Sequence, residues 1–558
     1  MRIPDSSWRF SLQLTDGTSF TGPVQTSGSI RFVYQELKEG YRLQLQFDPE
    51  KQQTIRSCSL SVPTTTQAHE WLLCNGFQSW TESYWRRPTE SIPDLRRIAR
   101  PLMGYYGDYH IDWIPRCKGV LHSWSWTERR AGGNDQIELL ASLNENTAFT
   151  CFQWRTKDGH LQVEIDCRGW EVSCPVILAD ILVLEGRADA VYDEWVKHLE
   201  LPPLRAPKAR GWTSWYQHYT HVSEQIVLDN LAAFKARGRN LDFFQIDDGY
   251  QTAVGDWLSV NNKFPGGMAS LAEEIRKEGQ QPGLWLAPCV ADSRSSLIVE
   301  HPDWIRKNPK GKPLKAGYNP LWKGWFYALD TEHEAWKDHM RSVFQTMVAD
   351  WGYAMLKLDF LYAACIYPTP QFTRAQLMRR TLEEIRKWVG NETYLLGCGT
   401  PLASGFGLFD YCRIGADIHL QWEYPLLRWF RHRERVSTLA ALRSVLGRSS
   451  LAGRVWRNDP DVYLLRDDNM QMTPPERQLV HRLNTWFGEL LFTSDDPSTY
   501  RDFQAGEEQW QDASWKQGKW QVAPLSDGGF LVSDGEQKVV VELGKKTGRM
   551  KDWEEIEW

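Results

Sequence analysis

Through roughly the first 195 residues, apolar and polar positions alternate in short runs such as "YRLQLQFDP", "ASLNENTAFTCFQW" and "HLQVEIDC". A period of two gives each run one face for a core and one for water, and Gly, Asn, Asp or Pro between many of them marks turns. The region reads as an antiparallel β-sandwich. A short helix, "ADAVYDEWVKHLE", follows, and then "LPPLRAPKAR", a proline-rich basic linker.

From Gly211 the rhythm changes. Strand-like runs ("GWTSWYQ", "LDFFQIDDGY", "PGLWLAPCV", "YAMLKLDF", "TYLLGCGTP", "YCRIGAD") alternate with amphipathic helical stretches such as "SEQIVLDNLAAFKARG" and "TEHEAWKDHMRSVFQTMVADWG". Six strands precede Asp417. Two more are expected at "RVWRNDPDVYLL" and "GELLFTSDD". About eight such units with right-handed crossovers close a barrel. An open doubly wound sheet is the competing topology, disfavoured because no Gly-rich phosphate loop follows the first strand. Thr331 and Glu334 have capping-box spacing. "GGFLVSD" and "QKVVVELG" predict a small C-terminal β-domain. The expected architecture is therefore α/β: a (β/α)8 TIM barrel over 201–505, an N-terminal β-sandwich over 1–200 and a β-domain over 506–558.

The expected fourth barrel strand raises a chemical question. "YAMLKLDFLYAACIYP" sets Lys357 and Asp359 on one face, opposite Leu356, Leu358 and Phe360. Two charges on one face of a buried strand must pair or open onto a cavity. They are either a structural ion pair or an active-site carboxylate kept ionised by a lysine. Barrels carry catalytic groups at the C-terminal ends of their strands. Asp247 and Asp248 end the second strand, Trp285 lies on the third, Cys398 ends the fifth, and the sixth carries Arg413 and ends in Asp417. Asn458, Asp459 and Asp461 follow in the seventh region. There the proline of Asp459-Pro460-Asp461 points to turn chemistry.

Composition narrows the classes. A net charge of −6 and the lack of a basic run argue against nucleic acid and anionic membrane. The N-terminus has no apolar stretch of signal-peptide length and no segment approaches a membrane span. Ten scattered cysteines without metal-ligand spacing suggest free thiols in a reducing cytoplasm. His218, His221, His301, His333 and His339 lack metal or triad partners, so metal hydrolysis and Ser/His catalysis recede. The 29 Trp residues suit sugar stacking as well as cores. Two placed acids, aromatics and no cofactor or metal motif fit glycoside cleavage, one carboxylate attacking the anomeric carbon and the other protonating the leaving oxygen. Lys357 should lower the pKa of Asp359. Asp417 should be kept neutral by burial or a negative neighbour, so Arg413, four residues upstream, is expected to face the sugar or Asp359 rather than Asp417.

At these residues the sequence resembles glycoside hydrolase family 36, the α-galactosidases, through "NGFQSW", "GWTSWYQ", "FQIDDGYQ", "GDWLSVNNKFP", "PGLWLAPC", "HPDW", "LKLDFLYAA", "GCGTPL", "RIGAD" and "NDPDVYLLR", in order from residue 75 to 466. It looks most like the shorter bacterial and archaeal members. The resemblance implies Asp359 as nucleophile and Asp417 as acid/base. It implies that Asp247 and Asp248 bind the galactose O4 and O6 hydroxyls, that Lys357 and Arg413 are basic sugar contacts, that Trp285 is an aromatic wall and that Cys398 lies near the 2-position. Trp80 would reach over from the sandwich, and Trp215 and Tyr216 would line the leaving-group side. "CGTP" replaces the serine-glycine that many longer members carry after the cysteine. The implied activity is a cofactor-free, retaining, exo-acting α-galactosidase on oligosaccharides such as raffinose and melibiose. The chain lacks the length of the large tetrameric members, so their assembly does not transfer and a monomer or small homo-oligomer is left open. An α-N-acetylgalactosaminidase, an α-galactosyl transferase and a catalytically silent galactoside-binding protein remain as alternatives.

Overall fold

The computed structural model describes residues 7–23, 28–515 and 519–552; the start of the stretch read for a signal peptide lies outside them. Two antiparallel seven-stranded sheets form the N-terminal sandwich. One runs from Ser19–Pro23 through Arg9–Leu14 and Gln53–Pro63 to Val120–Trp124; the other runs from Ile30–Leu37 through Val176–Arg187 to Tyr84–Arg86. Sequence alternation sets which side is buried. Along Gly40–Phe47, Tyr41, Leu43, Leu45 and Phe47 turn inward against Leu60, Phe152, Trp154 and Val163.

Eight parallel staves then close a barrel: Ala209–Thr213, Phe243–Ile246, Gln281–Leu286, Met355–Leu358, Tyr394–Gly397, Tyr411–Arg413, a seventh in two pieces, and Leu490–Thr493. The seventh consists of Arg457–Asp459, pairing with the sixth, and Val462–Tyr463, pairing with the eighth. The break falls at Pro460-Asp461, where Pro lacks a ladder donor and Asp461 takes φ +79°. Closure comes from Ala209 opposite Leu490. Phe243, Met355, Leu396, Tyr411, Val462, Leu490 and Phe492 fill the interior, so the barrel is a packed core open to chemistry only at its rim.

Helices separate most staves, but a single short turn, Leu402–Gly405, separates the fifth from the sixth. After the third stave an unanticipated three-stranded antiparallel excursion, Val290–Asp292, Lys315–Asn319 and Gly324–Ala328, rises over the rim. The expected capping box at Thr331 is not formed. His333 is the N-cap of helix Glu334–Gln345, and the Thr381 hydroxyl donates to the Thr331 hydroxyl (2.9 Å). A capping box does open Arg374–Val389, from Thr373 and Gln376.

Residue 505 falls inside a helix, Asp502–Ser514, that packs on Pro474–Phe487; a four-stranded antiparallel sheet begins at Gln521. The ten cysteines are unpaired. Among the described residues no helix is long and apolar enough to cross a membrane, and no group of His, Cys, Asp and Glu is arranged to hold a metal ion.

Candidate active site

Backbone geometry at the stave ends aims the polar groups. The fourth stave stops at Leu358, and Phe360 takes φ +53°, a left-handed conformation uncommon for a bulky residue. That turn lets the Phe360 N–H donate to Asp359 Oδ1 (3.0 Å) while its ring packs on Trp322 and Trp80 (centroids 4.9 and 5.0 Å). The indole N–H of Trp285, on the adjacent third stave, donates to Asp359 Oδ2 (3.0 Å).

Lys357 does share the face of Asp359, but its ammonium pairs with Asp247 at the end of the second stave (Nζ to Oδ2, 2.8 Å). Burial pushes the Asp359 carboxyl above the usual aspartate range; Lys357, Trp285 and Cys398 oppose this, and the charge of Asp417 adds to it. The expected net lowering by Lys357 is thus corrected. The direction of its influence is right, but desolvation of a carboxyl only 8% exposed outweighs an ammonium already paired elsewhere. For Lys357, attraction to Asp247 overcomes the downward pull of burial, so it stays charged.

The paired aspartates have different partners. Asp247 Oδ1 accepts from the Asp248 N–H (2.9 Å), and its own N–H donates to Ser214 Oγ (2.9 Å). Asp248 accepts from Gln251 Nε2 (2.6 Å) and from Trp322 Nε1 (2.8 Å). Burial, against these two bonds, pushes Asp248 up to about 6.

Arg413 departs most from expectation. Its guanidinium does touch Asp417 (Nη1 to Oδ1, 2.8 Å), and it also pairs with Asp459 (Nε to Oδ2, 3.1 Å) and Asp461 (Nη2 to Oδ1, 2.8 Å). Asp417 is not deeply buried; its side chain is 34% exposed. Asp459 and Asp461 are fully buried, so the turn reading of this stretch was incomplete. The Asx turn exists, Asp461 N–H donating to Asp459 Oδ1 (2.9 Å), but both carboxylates also brace Arg413. Burial, with Asp417 and Asp459 adding and Arg413 opposing, pushes Asp461 up to about 7. The Tyr216 hydroxyl donates to Asp461, placing Tyr216 beside this cluster.

One wall comes from the sandwich. Trp80 lies on the 75–83 loop, and its indole N–H donates to Cys398 Sγ (3.2 Å). Gly399, at φ +59°, leaves no room for a side chain: a Cβ there would sit 2.9 Å from the Trp80 ring and 3.0 Å from Phe360 N. Arg448, from the barrel helix Thr438–Gly447 and the turn after it, fixes that loop. Fully buried, it donates to the side-chain oxygen of Asn75 (2.9 Å) and to the carbonyls of Gln78 (3.1 Å), Ser79, Thr81 (3.0 Å) and Ile414 (2.8 Å). With no carboxylate among these partners, burial pushes Arg448 down to about 9.

The structure thus joins all nine expected positions through direct contacts or mutual charge: Trp80, Asp247, Asp248, Trp285, Lys357, Asp359, Cys398, Arg413 and Asp417. Sequence reasoning missed Trp322 and the place of Phe360 in the wall, and it read Asp459 and Asp461 as turn residues rather than as braces of Arg413. Trp322 sits in an irregular excursion without periodic signal. The two carboxylates flanking Pro460 at a stave end were a usable clue.

A sequence profile described as melibiase matches residues 211–360, the first four staves. The α-galactosidase Mel36A of Lactobacillus acidophilus is 28% identical over 117 residues, 20% of this chain and 15% of its own length. The A type blood α-D-galactosamine galactosaminidase of Flavonifractor plautii is 26% identical over 211 residues, 34% of this chain and 19% of its own. The matched stretches therefore span less than a fifth of those relatives. The structure of TtGalA, an α-galactosidase from Thermus thermophilus in complex with p-nitrophenyl α-D-galactopyranoside, superimposes with TM-score 0.71 at 27% identity, covering 91% of this chain and 98% of that one. In matched segment and in fold, the chain resembles the α-galactosidases of glycoside hydrolase family 36.

Proposed function

We propose that the chain is a retaining, exo-acting α-galactosidase that releases terminal α-galactosyl groups from oligosaccharides of the raffinose and melibiose type. The observation that carries this reading is Asp359 at the fourth stave's end within electrostatic reach of Asp417 beyond the sixth, with Asp359 set against a wall of Trp285, Trp322, Phe360 and Trp80. One carboxyl is positioned by two N–H donors and the other is reachable from solvent, which suits a nucleophile and an acid/base.

In this mechanism Asp359 attacks the anomeric carbon while Asp417 protonates the departing oxygen. Water then enters, Asp417 takes its proton, and the galactosyl–Asp359 ester is cleaved. Arg413 shares its guanidinium between Asp417 and the buried Asp459 and Asp461, so Asp417 is not its sole partner. Ester formation also removes the charge of Asp359, and with it a repulsion on the Asp417 anion needed as base. Asp247 and Asp248 supply acceptors for sugar hydroxyls, and the ammonium of Lys357 pairs with Asp247.

Placing Cys398 near the 2-position follows the resemblance. Trp80 covers its sulfur, which supports galactose over N-acetylgalactosamine, whose acetamido group needs that space. The unpaired cysteines support a reducing, cytoplasmic setting. The test is turnover of aryl α-galactoside, α-N-acetylgalactosaminide and α-glucoside with NMR of the first-formed sugar: α-galactose from the first substrate alone is expected. β-galactose would overturn retention, and binding without turnover would favour a silent galactoside-binding protein.

A further inference from the structure

A second concave site lies on the loop that leaves Asp417. This loop, from Ile418, is closed by the Ser437 N–H donating to the Asp417 carbonyl (2.9 Å). Gln421, Trp422, Glu423, Arg428, Trp429 and Arg431 from this loop line a cavity of about 750 Å³, with Arg96 of the N-terminal region and Lys545 and Lys546 of the C-terminal sheet. The C-terminal hairpin is docked there by Trp422, whose indole donates to the Gly544 carbonyl (2.8 Å), and by Arg428 Nη1, which donates to the Lys545 carbonyl (3.2 Å).

The charge balance is one-sided. Arg96, Arg428, Arg431, Lys545 and Lys546 are exposed, and among the described residues none of them pairs with a carboxylate. The two lining carboxylates are already engaged. Glu423 is held bidentately by Arg435 (3.0 and 2.9 Å), and Glu476 closes the capping box at Thr473. In a chain of net charge −6, five cations around one cavity with no carboxylate partner among the described residues make a local field for anions. Trp429, 51% exposed, carries the Arg96 guanidinium over its ring at 4.3 Å and adds apolar surface of the kind sugar rings stack on.

We infer that this groove is a second, anion-selective saccharide site that takes a carboxylate- or phosphate-bearing sugar. Its saccharide part rests on the α-galactosidase reading; its anion part does not. A concave cavity walled by three parts of the chain suits a compact ligand better than a flat anionic surface.

The test titrates the full chain with trigalacturonate, with neutral galactotriose and with inorganic phosphate, reading tryptophan fluorescence and calorimetry at low and high salt. Trigalacturonate is expected to bind at least about tenfold more tightly than either comparator and to weaken with salt. The triple variant Arg428→Ser/Lys545→Ser/Lys546→Ser should lose at least about tenfold in affinity, and Trp429→Ala should lose the fluorescence change. None of these residues belongs to the catalytic cluster, so turnover of a neutral aryl α-galactoside should be unchanged in both variants. Phosphate binding as tightly as trigalacturonate would overturn the saccharide assignment. No binding of either, or binding unaltered in the triple variant, would overturn the site. Failure of the α-galactosidase reading would appear separately, as absent turnover in the unaltered chain.

Discussion

Arg413 grips Asp417 at 2.8 Å with one nitrogen while its others are anchored on the buried Asp459 and Asp461. The arginine is thus part of a fixed cluster that determines where Asp417 points.

Removing Arg413 should leave buried carboxylates facing one another. Arg413→Met is expected to lower stability by about 3–5 kcal/mol, read by urea unfolding, and to abolish measurable turnover. Adding Asp461→Asn should restore part of the stability but not the turnover. Equal stability of Arg413→Met and the parent would show the cluster to be incidental.

Asp359→Gly should lose about 10⁴-fold or more in kcat while remaining folded. Azide should then rescue it, giving β-galactosyl azide, since a small anion can occupy the vacated space. Because burial raises the carboxyl of Asp359, which must be ionised to attack, the acid limb of kcat/KM should lie above the ordinary aspartate range. An acid limb near pH 3 would contradict this.

Gly399→Ala tests the seam between Trp80 and the barrel. A methyl 2.9 Å from the Trp80 ring at positive φ must displace that ring or the turn. The expected cost is about 1–3 kcal/mol of stability, with a larger proportional fall in kcat/KM than in the folded fraction. Retained activity on small aryl galactosides would mean that Trp80 does not border the sugar.

Glu145, in the sandwich, gives a pH test remote from the site. Burial pushes its carboxyl up to about 7, against bonds from Ser125 Oγ (2.6 Å) and Thr150 N–H (2.9 Å). A folded pKa above the unfolded one means that the native state binds the extra proton. Stability from this group is therefore full below about pH 4 and is lost as pH rises toward 7. Glu145→Gln should remove that slope, gaining on the order of 1–3 kcal/mol on the parent between pH 4 and pH 8. Chemical denaturation at both pH values checks it, and parallel curves would refute it.

Much of this was legible in the chain because periodicity reports burial directly. Alternation in "YRLQLQFDP" gave a two-faced strand, and apolar runs alternating with amphipathic helices gave a parallel barrel. The polar residues in those runs, Lys357, Asp359 and Arg413, stood out against apolar neighbours. Three-body relations were not legible. Lys357 could be placed beside Asp359, but not its preference for Asp247 across two staves, which depends on inter-stave register. Arg413 could be seen four residues from Asp417, but not the two carboxylates that tie it down. Trp322 left no trace because an irregular excursion has no period to break.

Arg448 links the two halves of the molecule, its acceptors coming from the 75–81 loop on one side and Ile414 on the other. A chimera that grafts this sandwich onto a barrel without that arginine would leave those oxygens facing a hole without a cation, and the reverse would bury Arg448 without its loop acceptors. Transplanting Arg448 together with its loop should keep such a hybrid intact. The seam is therefore the smallest piece that recombination, natural or engineered, has to carry whole.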